Sequence, residues 1–203
     1  VKENSIKHYV MFSNEDFKIN GLSKLSLGKK SNQINRTINS NKSKKKEFIS
    51  FNYNFDQKII LIKIKNNQTI SDNEKKGADF YNFINANLIT DLTFFENNIS
   101  ETQKKNKNFI DEFLHGLQLK SYKFNKYITK KETVDININI ISRKKIQIKN
   151  KNNRFNSLLE GTNFTKDLVS EPGNILHPDE YAKRIIKLKN IGLKVKVYNK
   201  IEL

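Results

Sequence analysis

"EFISFNYNFDQKIILIKIK", Glu47 to Lys65, contains two β-rich runs separated by Asn54, Asp56 and Gln57. Polar turn-forming residues between two such runs predict a hairpin. The second run, "KIILIKIK", is nearly continuous in apolar residues and predicts a buried strand. "SDNE" at Ser71 to Glu74 follows and fits a capping box, in which the Ser71 hydroxyl accepts from an orphan amide while Glu74 reaches back to the cap. A helix is expected from there through Asn85. "NLITDLTFFE", Asn87 to Glu96, reads as the next strand, and "SETQ" at Ser100 to Gln103 repeats the capping-box pattern. The helix it opens carries Phe109, Ile110, Phe113, Leu114 and Leu117 at three-and-four spacing, with Gly116 small enough to let another element approach closely. Strand and helix alternate, so the fold class is α/β with a sheet covered on both faces.

Working outward, His8 to Phe12 reads as a short apolar strand, and the Ser, Asn and Lys-rich stretch Gly28 to Lys46 reads as loop. Val134, Ile136, Ile138 and Ile140 alternate with Asp135, Asn137 and Asn139, which predicts a strand with one wet face near a sheet edge. After a polar turn around Lys149 to Asn153, the residues Phe155, Leu158, Leu159, Thr162 and Val169 mark a helix running into Glu171. Both prolines of the chain come next. Pro172 stops that helix, with Gly173 expected to take the positive φ common just past a helix end. Pro178 begins another, where its missing amide hydrogen costs nothing and where Asp179 and Glu180 meet the positive end of the helix dipole. That helix places Tyr181, Ile185 and Leu188 on one face, carries Lys187 and Lys189 near its end and stops at Gly192. "LKVKVY", Leu193 to Tyr198, is read as a strand.

The chain has 203 residues and a net charge of +17. Its length suits one large domain, or one domain with part of another. No run is long enough to span a bilayer, no leader-like progression marks the amino end, and cysteine is absent, so disulfides, thiolate catalysis and Cys-ligated zinc are excluded. A cytoplasmic setting is expected. The chain opens on Val1 with its single methionine at Met11, which reads as a cropped start. Lysine is scattered alongside heavy Asn and Ile use, so the basicity is read as compositional, with a nucleic-acid surface as the alternative.

Few residues offer chemistry. Asp111, Glu112 and His115 form an E-x-x-H spacing on a helix, as in di-iron bundles, but such a site needs the motif twice, and the plainer reading is a solvated helix face. His177, Asp179 and Glu180 form a second conceivable ligand set, although helix-dipole complementarity and a pre-proline turn already account for them. His8 has no partner the sequence names. "KSYKFNKYITKK", Lys120 to Lys131, interleaves Tyr122, Phe124 and Tyr127 with lysines. It suits either base stacking beside phosphates or a helix end whose aromatics enter the core. A nucleophile elbow and a glycine-rich phosphate loop are both absent.

Two stretches together resemble the cytosol (leucyl) aminopeptidases, peptidase family M17. "EFLHGLQLKSYKFNKYITKK", Glu112 to Lys131, resembles that family's helix with a Gly, a Leu pair and a Tyr-x-Phe-x-x-Tyr run. "TNFTKDLVSEPGNILHPDEYAKRIIKL", from Thr162, resembles its Arg-Asp-Leu-x-Asn-Glu-Pro-x-Asn segment, with Lys166 in place of the usual Arg and Ser170 in place of the usual Asn. The resemblance implies a three-layer, macro-domain-like accessory domain with a mixed sheet over residues 1–150, a connecting helix over 151–173 and the beginning of a catalytic peptidase domain over 174–203. It further implies a metalloprotease that works as a homo-hexamer with two divalent cations, manganese or zinc, and removes amino-terminal residues from peptides. The family's metal ligands and its Asn-Thr-Asp-Ala-Glu-Gly-Arg-Leu signature have no counterpart here, so no catalytic, metal or cofactor residue is assigned in this chain, and it is expected to be inactive alone. The alternative is a basic nucleic-acid-binding or assembly module.

Overall fold

The computed structural model describes residues 8–20, 31–41, 46–129, 135–141 and 153–202. Five strands form one mixed sheet in the order β2-β3-β1-β4-β5. β1 (His8–Ser13) lies at the centre between β3 (Lys58–Lys63) and β4 (Asp91–Phe95), parallel to both. β2 (Phe48–Asn52) closes one edge antiparallel to β3, and β5 (Asn137–Ile141) closes the other parallel to β4. The Glu47–Lys65 reading holds: Tyr53 and Gln57 close a hairpin, and Asn54 Oδ1 accepts from the Gln57 amide at 2.7 Å. Ile59, Ile60, Leu61 and Ile62 are all fully buried. β5 is an edge strand, as its alternation predicts; Val134 and the turn at 149–152 lie outside the described residues.

Strand alternation sends side chains to two cores. Val10, Phe12, Ile60, Ile62, Leu92 and Phe94 face α2 (Ile70–Ala86) and α4 (Phe109–Ser121), where Phe80, Ile84, Phe109, Phe113 and Leu117 meet them. Phe12 is the hub of this side, with ring centroids 5.0, 5.3 and 5.8 Å from Phe109, Phe113 and Phe94. Met11, Ile59 and Leu61 face the other way and pack with Phe17, Ile19, Ile34 and Ile38. The last two belong to α1 (Ser31–Asn41), a helix inside the stretch read as loop. Its polar composition hides a short period, because Ile34 and Ile38 suffice to dock four residues apart.

Two helix starts differ from expectation. The box that caps α2 is Thr69 with Asp72: Thr69 Oγ1 accepts from the Asp72 amide at 3.2 Å, and the Thr69 amide donates to Asp72 Oδ2 at 3.0 Å. Two registers of the same motif overlap here, and the earlier one adds a half turn while leaving the Glu74 carboxylate available to α4. Likewise, Ser100 lies within α3 (Glu96–Thr102), which begins directly after β4, whereas α4 starts only after Asn108. This early helix places the buried Asn98 beside β1. Its Oδ1 accepts from the Phe12 amide at 2.7 Å, and its Nδ2 donates to the carbonyls of Phe12 and Asn20 at 3.0 and 2.9 Å. Since the β1–β4 ladder pairs only Tyr9 with Thr93 and Val10 with Phe94, the Asn98 amide takes over where a third strand residue would have paired.

α5 (Asn153–Ser170) and α6 (Pro178–Ile186) follow, and Pro172 and Pro178 separate them as predicted. Gly173 is not in the left-handed region; the amides of Ile175 and Leu176 both donate to the Pro172 carbonyl, so the turn closes without it. A 3-10 turn, Lys187–Ile191, ends at Gly192, whose φ of 89° is left-handed. Leu193 to Tyr198 is not a strand, because no described strand lies beside it to complete a ladder. Among the described residues no helix is long and apolar enough to cross a membrane.

α2 and α4 touch backbone to backbone. A Cβ on Gly116 would lie 1.9 Å from the Glu74 carbonyl oxygen, and one on Gly77 would lie 1.9 Å from the Phe113 carbonyl oxygen. Neither obstacle is a side-chain end that can swing away. Gly116→Ala should therefore lower stability by about 3 kcal/mol in urea unfolding, through displaced helices rather than a lost contact. A change below about 0.5 kcal/mol would show that the two helices slide apart freely.

Candidate functional site at the junction of the last two helices

Residues after Ser121 leave α4 and return along α5, where three of the side chains in the aromatic and lysine run find acidic partners. The Tyr122 hydroxyl donates to Asp167 Oδ1 at 2.6 Å. Lys126 Nζ and the Tyr127 hydroxyl both donate to Glu171, one to each carboxylate oxygen. From the far side, Arg184 Nη1 of α6 donates to Glu171 Oε1 at 2.7 Å, and Arg184 Nε donates to Glu180 Oε1 at 3.2 Å. Lys166 Nζ reaches back to the Leu119 carbonyl at 2.8 Å and lies 5.0 Å from the Tyr122 ring centre. A cavity of about 330 Å³, floored by Phe124, Phe164 and Leu168, adjoins Glu171 and Arg184.

Glu171 is the centre of this junction. Its side chain is only 1% exposed, yet it carries a charge, which burial alone would oppose. Hydrogen bonds from Lys126, then Tyr127, then Arg184 hold its carboxyl down to about 2, well below the ordinary 4.5. Tyr122 moves the other way: desolvation and its bond to Asp167 raise its hydroxyl. The aromatics neither enter the core, as Tyr127 is about half exposed, nor stand free as a stacking platform, since Tyr122 and Tyr127 are tied to α5. They form a clasp.

The other candidate residues are dispersed. Glu112 and His115 are buried rather than solvated, because they lie on the face of α4 that meets α2. Glu112 Oε2 accepts from Asn73 Nδ2 at 2.7 Å and Asn106 Nδ2 at 2.9 Å. His115 Nδ1 donates to Glu74 Oε1 at 2.8 Å, with the Phe155 ring 5.2 Å away. Asp111 is half-buried on the same helix. His177 precedes α6 as its cap residue, Asp179 and Glu180 lie in the first turn, and Glu180 is held by Arg184. His8 Nδ1 accepts from the Lys58 amide at 3.3 Å, at the start of the β1–β3 ladder. Among the described residues no three His, Asp or Glu side chains come together in a way that could hold a metal ion, so the residues described here do not fit a dinuclear centre.

Glu171 was not singled out by its sequence, although a signal was present. An acid directly before a helix-ending proline, in a chain crowded with lysine, needs partners if the turn buries it.

The α/β fold is shared with parts of two solved structures. Over 92% of this chain it matches 40% of a variant of tomato leucine aminopeptidase, with a TM-score of 0.66 at 13% identity. Over 97% of this chain it matches 39% of the bottromycin maturation enzyme BotP in complex with manganese, with a TM-score of 0.57 at 12% identity. At the level of sequence, the chain is 39% identical over 101 residues to a probable cytosol aminopeptidase of Phytoplasma mali, covering 46% of this chain and 20% of that protein. The chain is thus a distant relative of the cytosol aminopeptidases over somewhat less than half of its length. It spans no more than about a fifth of the length of the curated relatives it matches. No protein-family model matches it.

The depressed carboxyl of Glu171 sets a pH dependence. A carboxyl held below its unfolded value stabilises the fold above that value, and the contribution fades as pH falls through the folded one. The stability difference between the parent chain and Glu171→Gln should therefore be constant above about pH 4.5 and shrink steadily toward about pH 2. Urea unfolding of both proteins across that range measures it, and a difference that persists unchanged at pH 2 would remove the charge from the clasp.

Proposed function

We propose that this chain supplies the accessory domain (1–150), the connecting helix (151–173) and the opening helical unit of the catalytic domain (174–203) of a metal-dependent leucyl aminopeptidase. Support comes from the sequence relation to cytosol aminopeptidases and from a sheet flanked by helices on both faces, in keeping with a macro-domain-like accessory unit. The observation that carries the reading is α6. It is amphipathic, begins on Pro178 and is anchored through Arg184 to Glu171, yet none of its residues is buried. Ile186, Ile191, Leu193, Val197 and Tyr198 stay exposed in and after it. An anchored helix that leaves its apolar side chains in water is what the first helix of a larger domain looks like before the remaining polypeptide covers it.

In this reading peptide substrates and two cations, manganese or zinc, are bound by polypeptide outside these residues. Paired cations would anchor the substrate amine, polarise the scissile carbonyl and activate a water. The contribution of this chain is architectural: α5 and the Glu171 clasp set the angle at which the catalytic domain leaves the accessory domain. Assembly into a hexamer and a cytoplasmic setting belong to the same proposal.

The chain alone should hydrolyse no leucine p-nitroanilide, with or without added manganese, and the reading frame after Leu203 should encode a carboxylate-rich metal-binding signature. Chelator-sensitive turnover by the chain as given would place the catalytic groups within it. A stop codon directly after Leu203 would overturn the aminopeptidase reading itself.

A further inference from the structure

The backbone of an ordered segment needs partners for its amides and carbonyls, and in Lys194 to Tyr198 they are missing. These residues make no backbone hydrogen bond among the described residues, although both flanks are closed. Before them, Gly192 takes its left-handed turn and the Leu193 amide donates to the Leu188 carbonyl at 3.3 Å. After them, Asn199 Oδ1 accepts from the amides of Ile201 and Glu202 at 2.9 and 3.1 Å, and Glu202 Oε2 accepts from the Asn199 amide at 3.0 Å. The segment is therefore held between two built turns.

Its side chains alternate. Leu193, Val195 and Val197 share one side of an extended chain, and Lys194, Lys196 and Tyr198 share the other. Lys196 Nζ lies 4.4 Å from the centre of the Tyr198 ring, a contact between residues two apart that an extended backbone brings to one side and a helix does not. Leu193 and Val197 are 53% and 45% exposed, and Val195 is half-buried. An alternating segment with a free row of amides and carbonyls is a template for an added strand.

The side chains narrow the choice of neighbour. Lys194 and Lys196 have no ion-pair partner among the described residues. Pairing the apolar rows of two copies, whether centred on Val195 or on Lys196, sets lysine opposite lysine, which destabilises a ladder. A strand that places carboxylates opposite the lysines and apolar groups opposite Leu193 and Val197 satisfies both rows. The segment directly follows α6, whose Tyr181 and Ile186 are also uncovered, so a sheet lying against that helix would cover both where a short peptide would not.

We propose that Leu193–Tyr198 is the first strand of a second sheet, completed by a strand of the same protein outside these residues that alternates apolar with acidic side chains. The source of that strand rests on the aminopeptidase reading; the pairing edge does not.

Backbone amide exchange at Lys194 to Tyr198, followed in heteronuclear spectra, tests both parts. Four proteins are compared: the chain as given, the chain with the polypeptide encoded after Leu203, and the chain with a flexible linker of about twelve residues ending in Glu-Val-Glu-Val-Glu-Val or in Lys-Val-Lys-Val-Lys-Val. In the chain as given these amides should exchange freely. The Glu-Val extension should slow alternate amides by about 100-fold, since a ladder engages every second amide of an edge, and the Lys-Val extension should leave them fast. The encoded polypeptide should slow the same amides. Fast exchange with the Glu-Val extension would overturn the pairing edge and leave the aminopeptidase reading to its own test downstream of Leu203. Equal slowing by both extensions would reduce the effect to apolar collapse and overturn the acidic neighbour. Slowing in the chain as given that grows with concentration would make a second copy the occupant and overturn the proposed one. Slowing by the Glu-Val extension but not by the encoded polypeptide would overturn the same-protein source alone.

Discussion

The contact on which the rest of this fold depends is the meeting of two helix backbones at Gly77 and Gly116. Each glycine lies against a carbonyl of the opposite helix, at Phe113 and Glu74, so α2 and α4 approach more closely than any side chain permits. Close approach favours apolar or hydrogen-bonded groups along the crossing, although Asn73 Oδ1 and His115 Nε2 are buried there without a hydrogen-bond partner. Phe80, Phe109 and Phe113 satisfy the first condition against the sheet. The Asn73, Asn106 and Glu112 cluster and the His115–Glu74 pair satisfy the second for the groups that bond there. That is why the E-x-x-H spacing on α4, which looks like metal chemistry in one dimension, is interior structure in three.

The same demand for polar satisfaction shapes the end of the sheet. β4 turns into α3 too early to pair along all of β1, and Asn98 repairs the shortfall with one side-chain amide. A primary amide offers a donor and an acceptor on one planar group, so it can stand in for a peptide unit of a neighbouring strand. The repair has a further effect: it ties the end of β1 to α3 and, through the Asn20 carbonyl, to the segment that follows β1.

At the other extreme of the chain, cohesion changes character. α5 buries little beyond Leu168, and α6 buries nothing, so packing gives way to charge. A single carboxylate, Glu171, gathers a lysine, a tyrosine and an arginine from segments on both sides of two prolines. Directional bonds of this kind specify an angle between helices, which a small apolar contact does not.

Much of this architecture was legible in residue order. The hairpin at Asn54 to Gln57, the buried run Ile59 to Ile62, the spacing of Phe109 to Leu117, the wet edge strand and the two proline boundaries all follow from short-range periodicity and turn chemistry, which residue order records directly. The resemblance carried by the segment around Glu171 and Pro172 agreed with the sequence relatives. What the order of residues left open was decided wherever two equivalent local choices competed or a partner lay far along the chain. Thr69 rather than Ser71 caps α2, and Glu74 pairs instead with His115, 41 residues away. Ser31 to Asn41 became a helix because Ile34 and Ile38 found Met11 and Leu61 on the sheet. Leu193 to Tyr198 did not become a strand because a ladder requires a neighbour. The sequence by itself determined the strands and helices whose apolar period or turn chemistry is strong, such as Lys58–Lys63 and Phe109–Ser121, since those preferences are local. Tertiary structure alone decided which polar groups are buried and what they hold, because burial depends on where the rest of the chain comes to lie.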